Sequence, residues 1–367
     1  MAERFEPADA PPENALDLVA GARKPVPADP AALLQASVSR LLALAGSADG
    51  FLDRPAAAMP EVAPGDVLEN RFQILEELGF GATATTFLAD DRLLGKVALK
   101  VLHPELSAID GWVSRFAAEI RTARSVRHAN VCAVYDLFLF ESRDGRRAAA
   151  TMEYLRGETL ARRMSRCTIS PPEAIRIAKG VAAGIDALHA HGVLHRDLKP
   201  DNIMLVRNAD RSFRPVILDF GLASAGGPQV RGTCAPGTAV QGSPEYMAPE
   251  QFRPGSSTEA SDIYAFGLIL FEMIAGTRPF PREDLLQTAI RRSVEDAPAI
   301  ASVAPWVPRA WHAPISRALS RDADRRPGSA MDLVREIEGR SDIPDREAVP
   351  IARRHRSRRI PARRCCR

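Results

Sequence analysis

The sequence of 367 residues has no long apolar run and few cysteines, five in all. No stretch approaches the roughly 18 consecutive apolar residues that a transmembrane helix needs, and the acidic, proline-rich start is unlike a secretory signal. The cysteines show neither metal-ligand spacing nor a small-scaffold framework; they are Cys132, Cys167, Cys234, Cys365 and Cys366. We therefore expect a soluble chain in the reducing cytoplasm, without a structural disulfide.

The sequence also has no strong excess of positive or negative charge, since its formal net charge is only +3. The stretch 353–367 is nevertheless rich in arginine and holds no acidic residue. It contains no aromatic side chains on which the bases of a single-stranded nucleic acid could stack. We expect a disordered tail over 341–367 and no specific nucleic-acid partner, and contact of the tail with an anionic surface stays open.

Residues 1–66 are rich in proline and alanine, a composition that buries little apolar surface and is typical of linkers or disorder. One part of this extension differs. Asp29 before Pro30 can cap a helix of about 30–45 that ends near Gly46, and its apolar face would comprise Leu33, Leu34, Val38, Leu41 and Leu42. This short amphipathic helix would pack on the neighbouring domain or, alternatively, act as a regulatory docking helix.

From residue 67 to 340 the pattern predicts one α+β domain with two lobes. Short β-rich runs with one helix occupy about 67–153, and a mainly helical part follows over about 158–340. Ser170 to Glu173 matches a capping box that would open a helix extending to about His191, and 263–274 is apolar almost all round, as in a central buried helix. Ligand sites are common between lobes, here near the hinge at 153–157.

The run 195–202, His-Arg-Asp-Leu-Lys-Pro-Asp-Asn, collects groups that phosphate transfer requires. This reaction requires that the protein bind the phosphates and the metal ions and that it orient the attacking hydroxyl in line with the leaving group. Asp197 would accept or orient the hydroxyl proton, Lys199 would neutralise charge on the transferred group, and Asn202 would hold a metal. Asp219, in Asp-Phe-Gly after a strand-like run, would be a second hard ligand of the kind that Mg²⁺ prefers.

A glycine-containing segment between two strand-like runs could approach phosphate oxygens closely, although such a segment is more often only a turn; it comprises Leu78, Gly79, Phe80, Gly81, Ala82, Thr83 and Ala84. Lys100 follows in an apolar strand, where a charge must be paired or solvated. It could be an edge-strand lysine. Of the two acids in the next predicted helix, Asp110 and Glu119, the latter is placed to face the sheet, and we predict an ion pair between Lys100 and Glu119.

Together these motifs resemble the eukaryotic-like (Hanks-type) serine/threonine protein kinases over roughly residues 70–340. The shared features are the glycine-rich loop, the strand 97–100, His-Arg-Asp at 195–197, Asp-Phe-Gly at 219–221 and Ala-Pro-Glu at 248–250. The resemblance implies transfer of the γ-phosphoryl group of ATP to hydroxyls of protein substrates, with Mg²⁺ as the metal ion and Mn²⁺ as an alternative. It also implies that Asp262 anchors the catalytic loop and that Glu250 pairs with Arg326.

The same resemblance defines the nucleotide pocket. It would include Ala98, the gatekeeper Met152, and the hinge from Glu153 to Leu155, which meets adenine through backbone groups. Two positions depart from the family pattern. Ala84 replaces the third glycine and Thr86 replaces the valine that covers adenine, so we expect weaker or slower use of nucleotide but not its loss.

Substrate class and regulation also follow from the resemblance. Lys199, with Ser243 before Ala-Pro-Glu, is typical of kinases for serine and threonine. Arg196 would pair with a phosphate on the activation segment, 219–250. The candidate acceptors, which a second copy could modify in trans, are Thr238, then Thr233 and more weakly Ser224. Each could also be a simple polar loop residue.

Three alternatives stay open from the sequence. The altered glycine loop is compatible with a catalytically weak pseudokinase or nucleotide-binding interaction module, against which Lys100, Asp197, Asn202 and Asp219 argue. A small-molecule kinase of similar fold would be expected to lack Arg196 and the Ala-Pro-Glu segment. A pure interaction module would need the N-terminal helix as its main functional element.

Overall fold

A computed structural model describes residues 62–81, 83–104, 112–142, 145–208, 210, 212–220, 245–252, 256–280 and 285–341. The expected helix at 30–45, the basic tail beyond 341 and the proposed phosphate acceptors lie outside the described residues. The described part divides into a β-rich first lobe and a mainly helical second lobe, which confirms the predicted α+β class.

The first lobe is built on a six-stranded antiparallel sheet with the order β1-β2-β3-β4-β6-β5. One helix, α1 (Trp112–Ser125), accompanies it. The strands are β1 (Val67–Leu68), β2 (Phe72–Phe80), β3 (Ala84–Asp91), β4 (Gly95–Leu102), β5 (Val134–Ser142) and β6 (Gly145–Glu153).

Strand β4 lies between β3 and β6, and its residues 97–102 are buried on both faces because they alternate between two core clusters. Ala98 and Leu102 belong to the same core cluster as Phe116 and Ile120 of α1. Side chains alternate between the faces of a strand, so Lys100 shares the face of Ala98 and Leu102. The strand thereby directs Lys100 toward the side on which the second lobe lies.

The second lobe combines a small antiparallel sheet with seven described α-helices. The sheet has the order β7 (Gly157–Thr159), β8 (Ile203–Arg207), β9 (Phe213–Ile217). The helices are α2 (Leu160–Arg166), α3 (Pro171–Ala190), α4 (Glu259–Ala275), α5 (Leu285–Val294), α6 (Ile300–Val303), α7 (His312–Ala318) and α8 (Ala330–Ser341).

Helix α3 has the predicted extent, but its predicted capping box is wrong. The Ser170 side chain makes no capping hydrogen bond, and Glu173 instead binds Arg163 of α2 at 2.9 Å. Farther along, a Cβ on Gly184 would lie 2.7 Å from the carbonyl oxygen of Asn130. Glycine therefore allows α3 to approach β9 and its neighbours, which fixes the strand that leads to Asp219.

Helix α4 is the predicted central helix, and nearly all its residues are buried. At its start the backbone N–H of Thr258 donates to Oγ of Ser261 at 3.1 Å, and Gly276 ends it in the left-handed region at φ 74°. None of the described helices combines the length and apolar character needed to cross a membrane.

The cysteines correct one expectation. Cys132 is buried and free, but Cys167 is disulfide-bonded. The prediction of no structural disulfide is therefore wrong for this structure. Pairing depends on which side chains meet in space, and the sequence spacing of cysteines does not reveal it.

Candidate active site

The catalytic loop, residues 195–202, is anchored by a fully buried carboxylate on α4. Asp262 accepts hydrogen bonds from the backbone N–H of His195 at 2.8 Å and of Arg196 at 2.9 Å. His189 Nε2 lies 2.8 Å from the same carboxylate. Arg196 has a positive φ of 66°, which a non-glycine residue holds only where its surroundings fix it. The predicted anchoring role of Asp262 is confirmed.

The electrostatics of this anchor keep Asp262 ionised. Burial alone would raise the pKa of Asp262, but the hydrogen bond from His189 and the proximity of His195 hold it below its usual value. Burial conversely lowers the pKa of His195, against the opposing influence of Asp262 and Asp197. The site thus contains a charged Asp262 and a neutral His195.

Neutral His195 connects the catalytic loop to the residue before Asp219. Its Nε2 lies 3.0 Å from the carbonyl oxygen of Leu218 and must donate, while Nδ1 accepts from the N–H of Asp197 at 3.3 Å. The two contacts assign one tautomer. They also fix Asp197 and Asp219 relative to each other, although 22 positions separate them in the sequence.

Three predicted functional side chains converge in this loop. Lys199 Nζ lies 2.9 Å from Oδ2 of Asp197. The Asn202 amide nitrogen donates to the carbonyl oxygen of Asp197 at 2.8 Å and to its Oδ2 at 3.2 Å. The Asp197 carboxylate is therefore held by an ammonium and an amide.

Lys100 reaches this site from the first lobe, but with a different partner from the one predicted. Its Nζ lies 2.7 Å from Oδ1 of Asp219. It makes no ion pair with Glu119, which is half-buried on α1, so that prediction is wrong for this conformation. Asp219 follows β9, as predicted, and has φ 54°. Its carboxylate reaches Lys100 across the lobes, a proximity that sequence separation conceals.

Asn202 and Asp219 fit a divalent cation. The Asn202 amide nitrogen is engaged by Asp197, which leaves its oxygen as a possible ligand. The described residues contain no cluster of three or more His, Cys, Asp or Glu suited to a metal. Mg²⁺ is usually held by one or two protein oxygens together with substrate phosphates and water, and one amide oxygen with one carboxylate matches that kind of site.

The glycine loop has open space at Gly79, whereas a Cβ on Gly81 would lie 3.3 Å from the Ala84 carbonyl oxygen. A Cβ on Gly79 would meet nothing within 4 Å, and the Gly81 N–H donates to the Ala84 carbonyl at 2.9 Å. Leu78 and Phe80 are exposed. Ala82 lies outside the described residues.

His103, which no sequence pattern singled out, supports this loop. Its backbone N–H donates to the carbonyl of Thr83 at 3.0 Å, and its Nε2 donates to the carbonyl of Gly81 at 2.8 Å. Its ring also packs on Phe80 with 4.8 Å between centroids. His103 thereby holds three loop residues against the end of β4.

The residues predicted to surround adenine lie on neighbouring strands. Thr86 lies opposite Lys100 in the β3–β4 pairing, and Ala98 lies opposite Met152 in the β4–β6 pairing. Ala98 and Met152 are both buried. The N–H of Glu153 donates to the Ala133 carbonyl at 2.8 Å, and the partly buried Leu155 packs on the core.

The predicted pair of Glu250 and Arg326 is confirmed. Two guanidinium nitrogens of Arg326 bind the two carboxylate oxygens of Glu250 at 2.6 and 2.8 Å. Burial raises the pKa of Glu250, but the hydrogen bond and charge of Arg326 outweigh that effect and hold it below its usual value. The acceptors Thr238, Thr233 and Ser224, and also Ser243, lie outside the described residues.

Comparison with known proteins agrees with this geometry. Residues 72–336 match the protein kinase domain family. The chain is 33% identical to the serine/threonine-protein kinase pkn2 of Myxococcus xanthus over 273 residues, 73% of this chain and 32% of pkn2. It is 32% identical to the serine/threonine-protein kinase PrkC of Bacillus subtilis over 275 residues, 74% of this chain and 41% of PrkC. The chain thus spans about a third to two fifths of the length of these relatives. The chain belongs to the protein kinase family.

Proposed function

We propose that this protein is a serine/threonine protein kinase, which transfers the γ-phosphoryl group of ATP to hydroxyls of protein substrates. The observation that carries the proposal is the convergence of Asp197, Lys199 and Asn202 in one loop, with Lys100 and Asp219 facing them. These are the groups that phosphoryl transfer uses to position and neutralise its reactants. No observation on the described residues favours the pseudokinase alternative.

Asp197 is the group placed to take a proton from the substrate hydroxyl. Lys199, 2.9 Å from its carboxylate, offers positive charge where the transferred phosphoryl group would pass. Asn202 holds the backbone and the carboxylate of Asp197. The loop would therefore orient the substrate hydroxyl and neutralise charge on the transferred phosphoryl group, as this reaction requires.

Asn202 and Asp219 would hold Mg²⁺, for which Mn²⁺ could substitute, and the ion would neutralise charge on the nucleotide phosphates. Lys100 would bind phosphate oxygens once released from Asp219. Glu119, the acid on α1, is then the proposed partner of Lys100. We propose that nucleotide binding converts the conformation described here into one in which both Lys100 and Asp219 engage the nucleotide.

Serine and threonine are the proposed acceptors because Lys199 lies beside Asp197 and Ser243 precedes the Ala-Pro-Glu segment, as in the kinases that the sequence resembles. Activation by phosphate on Thr238 or Thr233, added by a second copy in trans, is part of the proposal, with Arg196 as the partner of that phosphate. We also propose a role in signal transduction in the cytoplasm, where ATP is available.

The test is transfer of labelled phosphate from ATP to a generic protein substrate and to the protein itself, followed by phosphoamino-acid analysis. We expect phosphoserine or phosphothreonine without phosphotyrosine, and loss of transfer when a chelator removes the divalent ion. Phosphotyrosine as the main product would contradict the substrate class. Unmodified Thr238 and Thr233 in an active enzyme would remove the proposed switch.

A further inference from the structure

Gln251 connects two parts of the site that lie far apart in the sequence. It belongs to a short 3-10 helix, Pro249–Phe252, and is buried with 8% of its surface exposed. Its Oε1 accepts from the N–H of Ala248 at 2.8 Å, and its Nε2 donates to the carbonyl oxygen of Arg196 at 3.3 Å. One amide therefore joins the catalytic loop to the segment 245–248.

The Arg196 carbonyl belongs to the peptide that leads into Asp197. The N–H on the other side of Arg196 is held by Asp262 at 2.9 Å. Arg196 has a positive φ of 66°, so its backbone needs contacts that keep it in this region. Asp262 restrains the peptide before Arg196, and Gln251 restrains the peptide after it.

The segment 245–248 is itself held firmly on its other side. Arg292 of α5 is buried, and it donates to the carbonyl oxygens of Glu245 at 2.6 Å and of Met247 at 3.1 Å. Glu250, next to Gln251, is fixed by Arg326 at 2.6 Å. Gln251 therefore presents its amide from a rigid support, and buried hydrogen bonds of this kind specify one arrangement of the groups they join.

We infer that Gln251 is a positioning residue, which orients Asp197 by fixing the peptide between Arg196 and Asp197 against the segment 245–248. This inference rests on the proposed kinase function. A purely local role, in which Gln251 only caps its own 3-10 helix, would need the contact with Ala248 alone. The contact with Arg196, 55 positions away, distinguishes the two roles.

Two substitutions separate these roles. Gln251→Met removes both hydrogen bonds at similar length. Gln251→Glu keeps an acceptor for the Ala248 N–H, but its carboxylate has no hydrogen to donate to the Arg196 carbonyl. We expect kcat to fall about tenfold to a hundredfold in both variants, because a small misplacement of a reacting group has an effect of this size. The KM for ATP should stay within about twofold.

The pH dependence of kcat in Gln251→Glu provides a further test, because a purely local capping role of Gln251 would not change it. Burial favours the neutral form of a carboxyl, and neutral Gln251→Glu would regain an O–H donor toward Arg196. Its kcat relative to wild type should therefore rise between about pH 8 and about pH 6. Gln73→Met, at an exposed position of β2, is the matched control and should retain wild-type kcat.

These experiments distinguish failure of the inference about Gln251 from failure of the proposed kinase function. An inactive wild-type protein would overturn the kinase proposal and this inference with it. An active wild type together with a folded Gln251→Met at wild-type kcat would overturn the inference alone. If Gln251→Met does not fold, as judged by its thermal transition, the kcat of Gln251→Glu decides between positioning and local capping.

Discussion

Lys100 on β4 and Asp219 after β9 form an ion pair between the two lobes, with 2.7 Å from Nζ to Oδ1. Each of these groups has another task in phosphate transfer, since Lys100 would bind phosphates and Asp219 would bind the metal. In this conformation they neutralise each other. We expect nucleotide and metal to draw this pair apart and the nucleotide complex to place Lys100 nearer Glu119.

Lys100→Met should lower kcat/KM for phosphate transfer by at least about a hundredfold, because it removes a preorganised positive charge from the phosphates. Steady-state kinetics on a generic protein substrate would measure the loss. Lys96→Met, at an exposed position of the same strand, is the control and should keep full activity. A Lys100→Met protein within tenfold of wild type would contradict the role assigned to Lys100.

Arg326→Leu should destabilise the second lobe by about 3 to 5 kcal/mol, because it leaves the largely buried carboxylate of Glu250 without its partner. The free energy of unfolding in urea measures this effect. Arg335→Leu removes an exposed arginine, whose side chain is 72% accessible, and should change stability by less than about 0.5 kcal/mol. Equal effects of the two substitutions would contradict the importance of the Glu250–Arg326 pair.

The protein should lose stability in mild acid because of His195. Burial holds its pKa below the usual value, so below about pH 6.5 the unfolded chain binds a proton that the folded protein does not. The free energy of unfolding should therefore decrease as the pH falls through this range. In His195→Gln the free energy of unfolding should decrease less with falling pH than in wild type. His191→Gln, at an exposed position, should show the same decrease as wild type.

A second loss of stability should follow in stronger acid. The pKa values of Asp262 and Glu250 lie below their ordinary values. Their ionised forms therefore add to the free energy of unfolding at pH values above the carboxyl pKa of the unfolded chain. This contribution is lost as the pH falls through the folded pKa values. Urea unfolding at a series of pH values tests both steps, and constant stability from neutral to acid pH would contradict these ionisation states.

Thr86→Val should strengthen binding of ATP with Mg²⁺ by about fivefold to tenfold, because a nucleotide packed on Thr86 must desolvate its hydroxyl at a cost of about 1 kcal/mol. Calorimetric titration would measure the dissociation constant. Thr85→Val is the control and should leave the dissociation constant unchanged, since neighbouring strand residues face opposite sides of the sheet. Undetectable binding to the wild-type protein would contradict the expectation that nucleotide use is weakened but retained.

The parts of the site that were predictable from sequence are those that lie close together in the chain. Asp197, Lys199 and Asn202 occur within six positions, so one loop conformation brings them together. The central helix α4 was likewise predictable, because almost every side chain in 263–274 is apolar and such a helix must be buried.

The parts that were not predictable depend on contacts between distant segments. Glu119 was the nearer acid in the sequence, yet Lys100 pairs with Asp219, which is 119 positions away. Gln251 carries no sequence signal for its contact with Arg196. The Ser170 cap failed for a related reason, since Glu173 binds Arg163 of the preceding helix instead of completing the capping box.

Transfer of labelled phosphate by wild type and by Asp197→Asn is the most direct test of the central claim. Asp201→Asn, the same substitution at an exposed position of the same loop, is the matched control. The structure predicts transfer by wild type and Asp201→Asn, and a loss of at least about a hundredfold in Asp197→Asn, whose amide cannot accept the hydroxyl proton. Equal labelling by wild type and Asp197→Asn would contradict the proposed kinase mechanism.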